Sequence, residues 1–167
     1  MNDNKIVAFL KEYVPYILVI ILVLLIKRFV VSPIKVNGDS MYDTLQDGDI
    51  MILNIVGTHF SDYKRFDIVV VDSGKEYIIK RIIGLPGDEI EYIDNQLYVN
   101  GKKVKDPYGT YETDDFSTAV PKDSYFVMGD NRTNSMDSRY FGAFPRKKIL
   151  GRTKFTIFPF GRFGNKE

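Results

Sequence analysis

The sequence has no cysteine and a single histidine, His59, and it carries almost no net charge, with 23 Lys and Arg against 22 Asp and Glu. The lack of cysteine excludes disulfides, thiol nucleophiles and thiolate metal sites together, and leaves the redox compartment open. One histidine excludes a zinc site built from several imidazoles, so no metal or other cofactor is expected. The balanced charge offers no basic field of the kind that recruits nucleic acid. A hydrolase on this chain has to work without a metal cage or a thiol. Its 167 residues leave room for one compact domain of ordinary size plus an appendage.

Long apolar runs are scarce too, with one exception. Residues 14–26 are apolar throughout apart from Pro15 and Tyr16, and residues 6–10 extend the run upstream across Lys11-Glu12. The run proper is about two thirds of the roughly 20 apolar residues a membrane span needs, and Phe29-Val30-Val31 beyond Lys27-Arg28 helps complete it. No small-x-small cleavage site follows, so a retained anchor over residues 1–33 is expected rather than a cleaved leader. Lys5 and Lys11 are offset by Asp3 and Glu12, whereas Lys27, Arg28 and Lys35 lie on the other side. Charge alone therefore does not favour an N-terminus inside the cell. Ser32-Pro33 is expected to stop the helix, and Ile34-Lys35-Val36 alternates like the start of a strand.

From residue 34 to 167 the punctuation is that of a mostly β protein: short runs of Val, Ile, Tyr and Phe broken by Gly, Pro, Asn and Asp. Strands are predicted at residues 50–55, 67–72, 76–83, 89–93 and 96–99, with later ones at 125–128 and 152–158. Asp94-Asn95 and Asn100-Gly101 are hairpin signals, which makes residues 89–122 a small antiparallel excursion closed by a polar loop from 106 to 122.

Three stretches carry chemistry. Gly38-Asp39-Ser40-Met41-Tyr42-Asp43-Thr44-Leu45 is a small-residue turn that presents one hydroxyl between apolar anchors, at most about 30 Å from Val31 even if fully extended. On its own it is a weak signal and reads first as a turn serine satisfying backbone groups. The stretch from Tyr77 to Asp88 is a strand whose alternation puts Ile78, Lys80 and Ile82 on one face and Ile79, Arg81 and Ile83 on the other. Whichever face is buried carries a cation. A desolvated Lys loses its proton near neutral pH and can serve as a base, whereas Arg cannot. The plain alternative is an edge strand whose Lys reaches solvent along its stem. The third stretch, Gly129 to Gly142, is dense in Asp, Asn, Arg and Ser, too rich for a simple turn, though a solvated loop closed by Asp and Arg pairs is the bland reading. Asn131-Arg132-Thr133 within it also matches the short glycosylation acceptor pattern.

In their order and spacing these stretches, together with Arg65-Phe66-Asp67-Ile68-Val69-Val70 and the closing Phe158-Pro159-Phe160, resemble the type I signal peptidases of bacteria. That family comprises membrane-anchored serine endopeptidases using a Ser and Lys pair. The resemblance implies a transmembrane helix followed by an antiparallel β catalytic domain, with Ser40 as nucleophile and Lys80 as general base. It further implies that Ser135 bonds and orients Lys80, that Asp137 and Arg139 pair to brace the site, and that Asp130 belongs to the same support network. Some relatives carry a hydroxyl residue two positions before the nucleophile to help hold the oxyanion. Here that position is Gly38, so backbone N–H groups such as that of Ser40 take the role. Asp43 stands where the family typically has Pro. The short hairpin region resembles Gram-positive members.

The implied partners are exported preproteins, cut after small-x-small sites of their signal peptides, and the lipid bilayer. The implied location is the plasma membrane, single-pass, with Met1 in the cytoplasm and the catalytic domain outside it. Three alternatives compete. A self-cleaving repressor would need a DNA-binding domain where the apolar run lies. A Gly-Asp-Ser esterase would need a late His. A non-catalytic membrane-anchored assembly factor of the same fold is disfavoured by retention of both Ser40 and Lys80.

Overall fold

The computed structural model describes residues 3–29, 31–55, 62–109 and 112–166; His59 lies outside them. Helix α1 (Asp3–Phe29) contains Pro15 and leads into β1 (Val31–Lys35). Every described side chain from residue 11 to 24 is exposed. Among the described residues no helix is long and apolar enough to cross a membrane. The expected transmembrane helix is thus not established by the structure.

The helix ends before Ser32-Pro33, as these residues already belong to β1. Pro33 is tolerated there because β1 is the terminal strand of its sheet, paired only with β2 (Ile50–Asn54), and an edge position needs no N–H on its outer side. The main sheet runs β1-β2-β11-β3-β4-β9-β10, with β12 beside β11. The remaining members are β3 (Ile68–Asp72), β4 (Tyr77–Gly84), β9 (Ser124–Met128), β10 (Phe144–Pro145), β11 (Ile149–Phe158) and β12 (Gly164–Asn165), and all pairings are antiparallel. The small sheet runs β7-β6-β5-β8, from β5 (Glu89–Ile93), β6 (Gln96–Val99), β7 (Lys102–Lys103) and β8 (Phe116–Ala119).

β8 lies inside the stretch expected to be a loop. Four residues with Ser and Thr among them show little intrinsic strand signal; pairing with β5 from Glu89↔Ala119 to Tyr92↔Phe116 orders them. β11 starts three residues earlier than its sequence suggests, because Gly151 sits at a register irregularity against β3 that the alternating pattern hides.

Strands β3 and β9, and β4 from Lys80 onward, are buried on both faces, and β3 and β9 accordingly read as nearly continuous apolar runs rather than alternating ones. Val69, Val71, Ile82, Tyr125 and Val127 form one cluster, to which Ile78 adds its side chain. Behind them Ile83, Phe126 and Met128 pack with Ile90, Tyr92 and Leu97 of the small sheet. A third cluster joins Ile68 and Ile79 to Val36, Met41, Leu45 and Met51. The turn carrying Ser40 is therefore seated on the main sheet by its own apolar residues.

Candidate active site

Gly38 takes φ +80°, a conformation other residues rarely adopt, and its N–H donates to Asp47 Oδ1 at 2.8 Å. The turn then closes through Tyr42 N donating to Asp39 O at 3.1 Å and Leu45 N to Met41 O at 2.8 Å. Met41 and Leu45 are fully buried and Ser40, just before them, is half-buried, so the hydroxyl is presented from a fixed base. The Tyr42–Asp43 peptide bond is cis.

Lys80, in the middle of β4, is 4% exposed, and its Nζ donates to Ser40 Oγ at 2.6 Å. Ile82 on the same face is fully buried and Ile78 half-buried, and Val69 lies directly across the ladder. Burial by these apolar neighbours lowers the Lys80 pKa to about 8, against the opposing pull of the Asp137, Glu76 and Asp130 carboxylates. An amine 2.6 Å from a hydroxyl and half neutral near pH 8 is equipped to accept that hydroxyl's proton.

The third stretch closes around this pair. Asp137 is fully buried, accepts from Gly129 N at 3.0 Å and holds the Arg139 guanidinium through two bonds of 2.9 Å. Burial pushes its pKa up, but Arg139 and the Gly129 N–H outweigh it and keep the carboxyl below its ordinary value. Asp137 also caps a short helix, α2 (Ser138–Phe141), which the polar sequence gave no reason to expect. Ser135 is brought beside Gly129 and close enough to Asp137 to help hold it ionised. Its Oγ is nonetheless buried without a hydrogen-bond partner of ordinary geometry, so the implied Ser135 to Lys80 bond is not formed here. Gly129 has to be glycine for another reason: a Cβ there would collide with Ser135 Oγ and Ser40 O.

Asp130 does not face Lys80 directly but clasps its neighbour. Arg81 Nε and Nη2 donate to the two Asp130 oxygens at 2.8 and 2.7 Å, and Nη1 donates to Phe66 O at 2.8 Å. Thr44 joins this cluster, donating to Asp130 Oδ2 at 2.6 Å and accepting from Arg81 Nη2 at 3.2 Å, which ties the far end of the Ser40 turn to the sheet. Asn131 reaches the near end, its N–H donating to Ser40 O at 3.1 Å. Thr44 and Asn131 were not singled out from sequence as site residues. Each sits inside a stretch that was, and only the hydrogen bonds between stretches reveal them.

A cleft of about 200 Å³ opens onto the pair, between residues 35–37 on one side and Glu76 and the edge of β4 at residues 77–80 on the other, with Met136 at its rim. β9 pairs with β4 only from Arg81 onward, which leaves this edge without a strand neighbour on that side among the described residues. A larger cavity of about 530 Å³ lies over the small sheet, but it contains neither Ser40 nor Lys80. Among the described residues no group of three or more His, Asp or Glu converges as a metal site.

The family described as signal peptidase, peptidase S26, matches residues 10–158. Signal peptidase I of Bacillus amyloliquefaciens is 46% identical over 157 residues, covering 86% of this chain and 85% of that one. Signal peptidase I S of Bacillus subtilis is 42% identical over 173 residues, covering 95% and 94%. A solved signal peptidase I from Enterococcus faecalis, 35% identical, superposes with a TM-score of 0.51 over 55% of this chain and 97% of that one. With the family matched from α1 to the end of β11, this chain belongs to the S26 family of signal peptidases.

Proposed function

We propose that this protein is a serine endopeptidase that removes signal peptides from exported preproteins after small-x-small sites. Ser40 is the nucleophile and Lys80 the general base. The observation that carries the reading is the 2.6 Å contact between Lys80 Nζ and Ser40 Oγ inside a cleft whose wall is a free strand edge. An extended precursor lies along that edge, its backbone bonding to β4 and its small side chains entering shallow pockets. Ser40 Oγ attacks the scissile carbonyl while Lys80 takes its proton. Backbone N–H groups of the turn, that of Ser40 first, hold the oxyanion. Lys80 then protonates the leaving amine and next removes a proton from the water that hydrolyses the acyl-enzyme. Asp137, Arg139, Asp130 and Ser135 support the pair without touching the scissile bond.

Residues 1–33 serve as a membrane anchor, and residues 34–167 as a domain outside the cytoplasm. The support is that α1, at about 1.5 Å per residue, extends roughly 40 Å and over residues 13–24 exposes apolar side chains all round, a surface that water disfavours. Protease added to intact protoplasts is expected to digest the catalytic domain; protection until the membrane is broken would reverse the orientation. Incubation of purified protein with a precursor carrying an Ala-x-Ala site should release a product whose new N-terminus follows the second Ala, and Ser40→Ala should release none. Cleavage by Ser40→Ala would overturn the reading.

A further inference from the structure

Arg132 is 2% exposed and lies outside the machinery described so far. Its Nε donates to Gly129 O at 3.0 Å, closing the loop that β9 leads into. Its Nη1 donates to Tyr92 Oη at 2.7 Å, and its Nη2 pairs with Asp106 Oδ2. Tyr92 Oη in turn donates to Asp106 Oδ2 at 2.5 Å, so three buried polar groups from the loop, from β5 and from the segment after β7 form a closed triangle. Burial raises the Tyr92 pKa well above its ordinary value, which keeps the phenol a donor at any working pH. Burial also opposes ionisation of Asp106, but the Arg132 guanidinium wins and the carboxyl stays charged.

The loop clamped this way is the one that meets the nucleophile's backbone. Gly129 lies against Ser40 O, Asn131 N donates to that same oxygen, and Asn131 Nδ2 donates to Asp39 O at 3.2 Å. We infer that Arg132, held by Tyr92 and Asp106, is a positioning residue that uses the small sheet as an abutment to fix the Ser40 main chain against Lys80. The small sheet then contributes to turnover through Arg132, in addition to whatever it adds to stability.

The inference rests on the peptidase reading, and the Ser40→Ala control separates the two: cleavage by that variant sinks the reading and the inference with it, whereas an inactive Ser40→Ala leaves the variants below to test the inference alone. The test uses full-length Arg132→Lys and Tyr92→Phe proteins, checked for folding by thermal melting and assayed on an Ala-x-Ala precursor well below the melting temperature. Tyr92→Phe keeps the ring packed on Phe116 and removes only the bridging hydroxyl, so it remains informative if Arg132→Lys does not fold. Misplacement of reacting groups by about 1 Å costs about 100-fold, so kcat should fall by about that much in Arg132→Lys and by about tenfold in Tyr92→Phe, with KM within about twofold. The midpoint of the pH profile should stay near 8, because the carboxylates and Arg139 that act electrostatically on Lys80 are untouched. Unchanged kcat per folded molecule in the variants that fold would reduce the triangle to a structural brace. A displaced midpoint would mean that Arg132 acts on the Lys80 charge instead of on Ser40. Either result overturns the inference.

Discussion

Lys80 and Arg81 are consecutive residues of one strand, both cationic and both buried, yet the protein surrounds them in opposite ways. Arg81 is met by the two oxygens of Asp130, by Phe66 O, by Thr44 and by the ring of Tyr108 at 3.4 Å. Lys80 is met by a serine hydroxyl and by aliphatic side chains, with its carboxylates acting from further off. A satisfied guanidinium keeps its charge and serves as a fastener. An amine buried with little compensation gives up its proton and becomes reactive. The alternation of a β-strand keeps the two environments apart by placing them on opposite faces.

The comparison breaks most directly at Lys80. Lys80→Arg retains the charge but removes the titratable base, and cleavage should fall by about 100-fold to 10,000-fold with the melting temperature little changed. Cleavage near the wild-type rate would deny Lys80 its role. Arg81→Met attacks the other face: it strands Asp130 in the interior and should cost about 3 to 5 kcal/mol in urea unfolding. A change below 1 kcal/mol would show that water enters and replaces the guanidinium.

The third prediction inverts the usual expectation. Burial lowers the Lys80 pKa from 10.5 to about 8, so between those values the unfolded chain holds a proton that the folded chain has released. Stability therefore rises with pH across that window, and below it Lys80 costs about 3 kcal/mol. Lys80→Met should be inactive but more stable than the wild type at pH 7, with an advantage that fades toward pH 10.5. Equal stability at pH 7 would mean that the hydroxyl and distant carboxylates compensate the buried ammonium fully. The smallest effect is expected from Ile78→Ser, which wets the Lys80 face at the cleft. The wild-type rate should rise with pH to a midpoint near 8 as the neutral amine forms, and this substitution should move the midpoint upward.

That Ser40 and Lys80 come together was legible in the sequence because each lies in a short stretch whose chemistry stands out and whose order along the chain is distinctive. The parity of β4 was legible for the same local reason, and Ile78 and Ile82 lie on the Lys80 face as alternation requires. What could not be read depends on distant partners. The triangle of Arg132 joins residues 40 and 26 positions apart, and nothing near Asn131-Arg132-Thr133 distinguishes a buried clamp from a surface loop. β8 is a strand only because β5 supplies its hydrogen bonds, and α2 exists because Asp137, also committed to Gly129 and Arg139, caps it.

The place of β11 in the sheet has a consequence for how the molecule comes into being. That strand is the last long one in the chain, yet it is inserted between β2 and β3, joining the β1–β2 pair, whose connection carries Ser40, to the strands that include Lys80. The sheet is not continuous from β1 to β4 until residues 149–158 have found both neighbours, although the Ser40 turn also packs directly on Ile68 and Ile79. Such non-local closure is slow compared with hairpin formation. The sheet that holds Ser40 and Lys80 is thus completed by the last long strand of the chain.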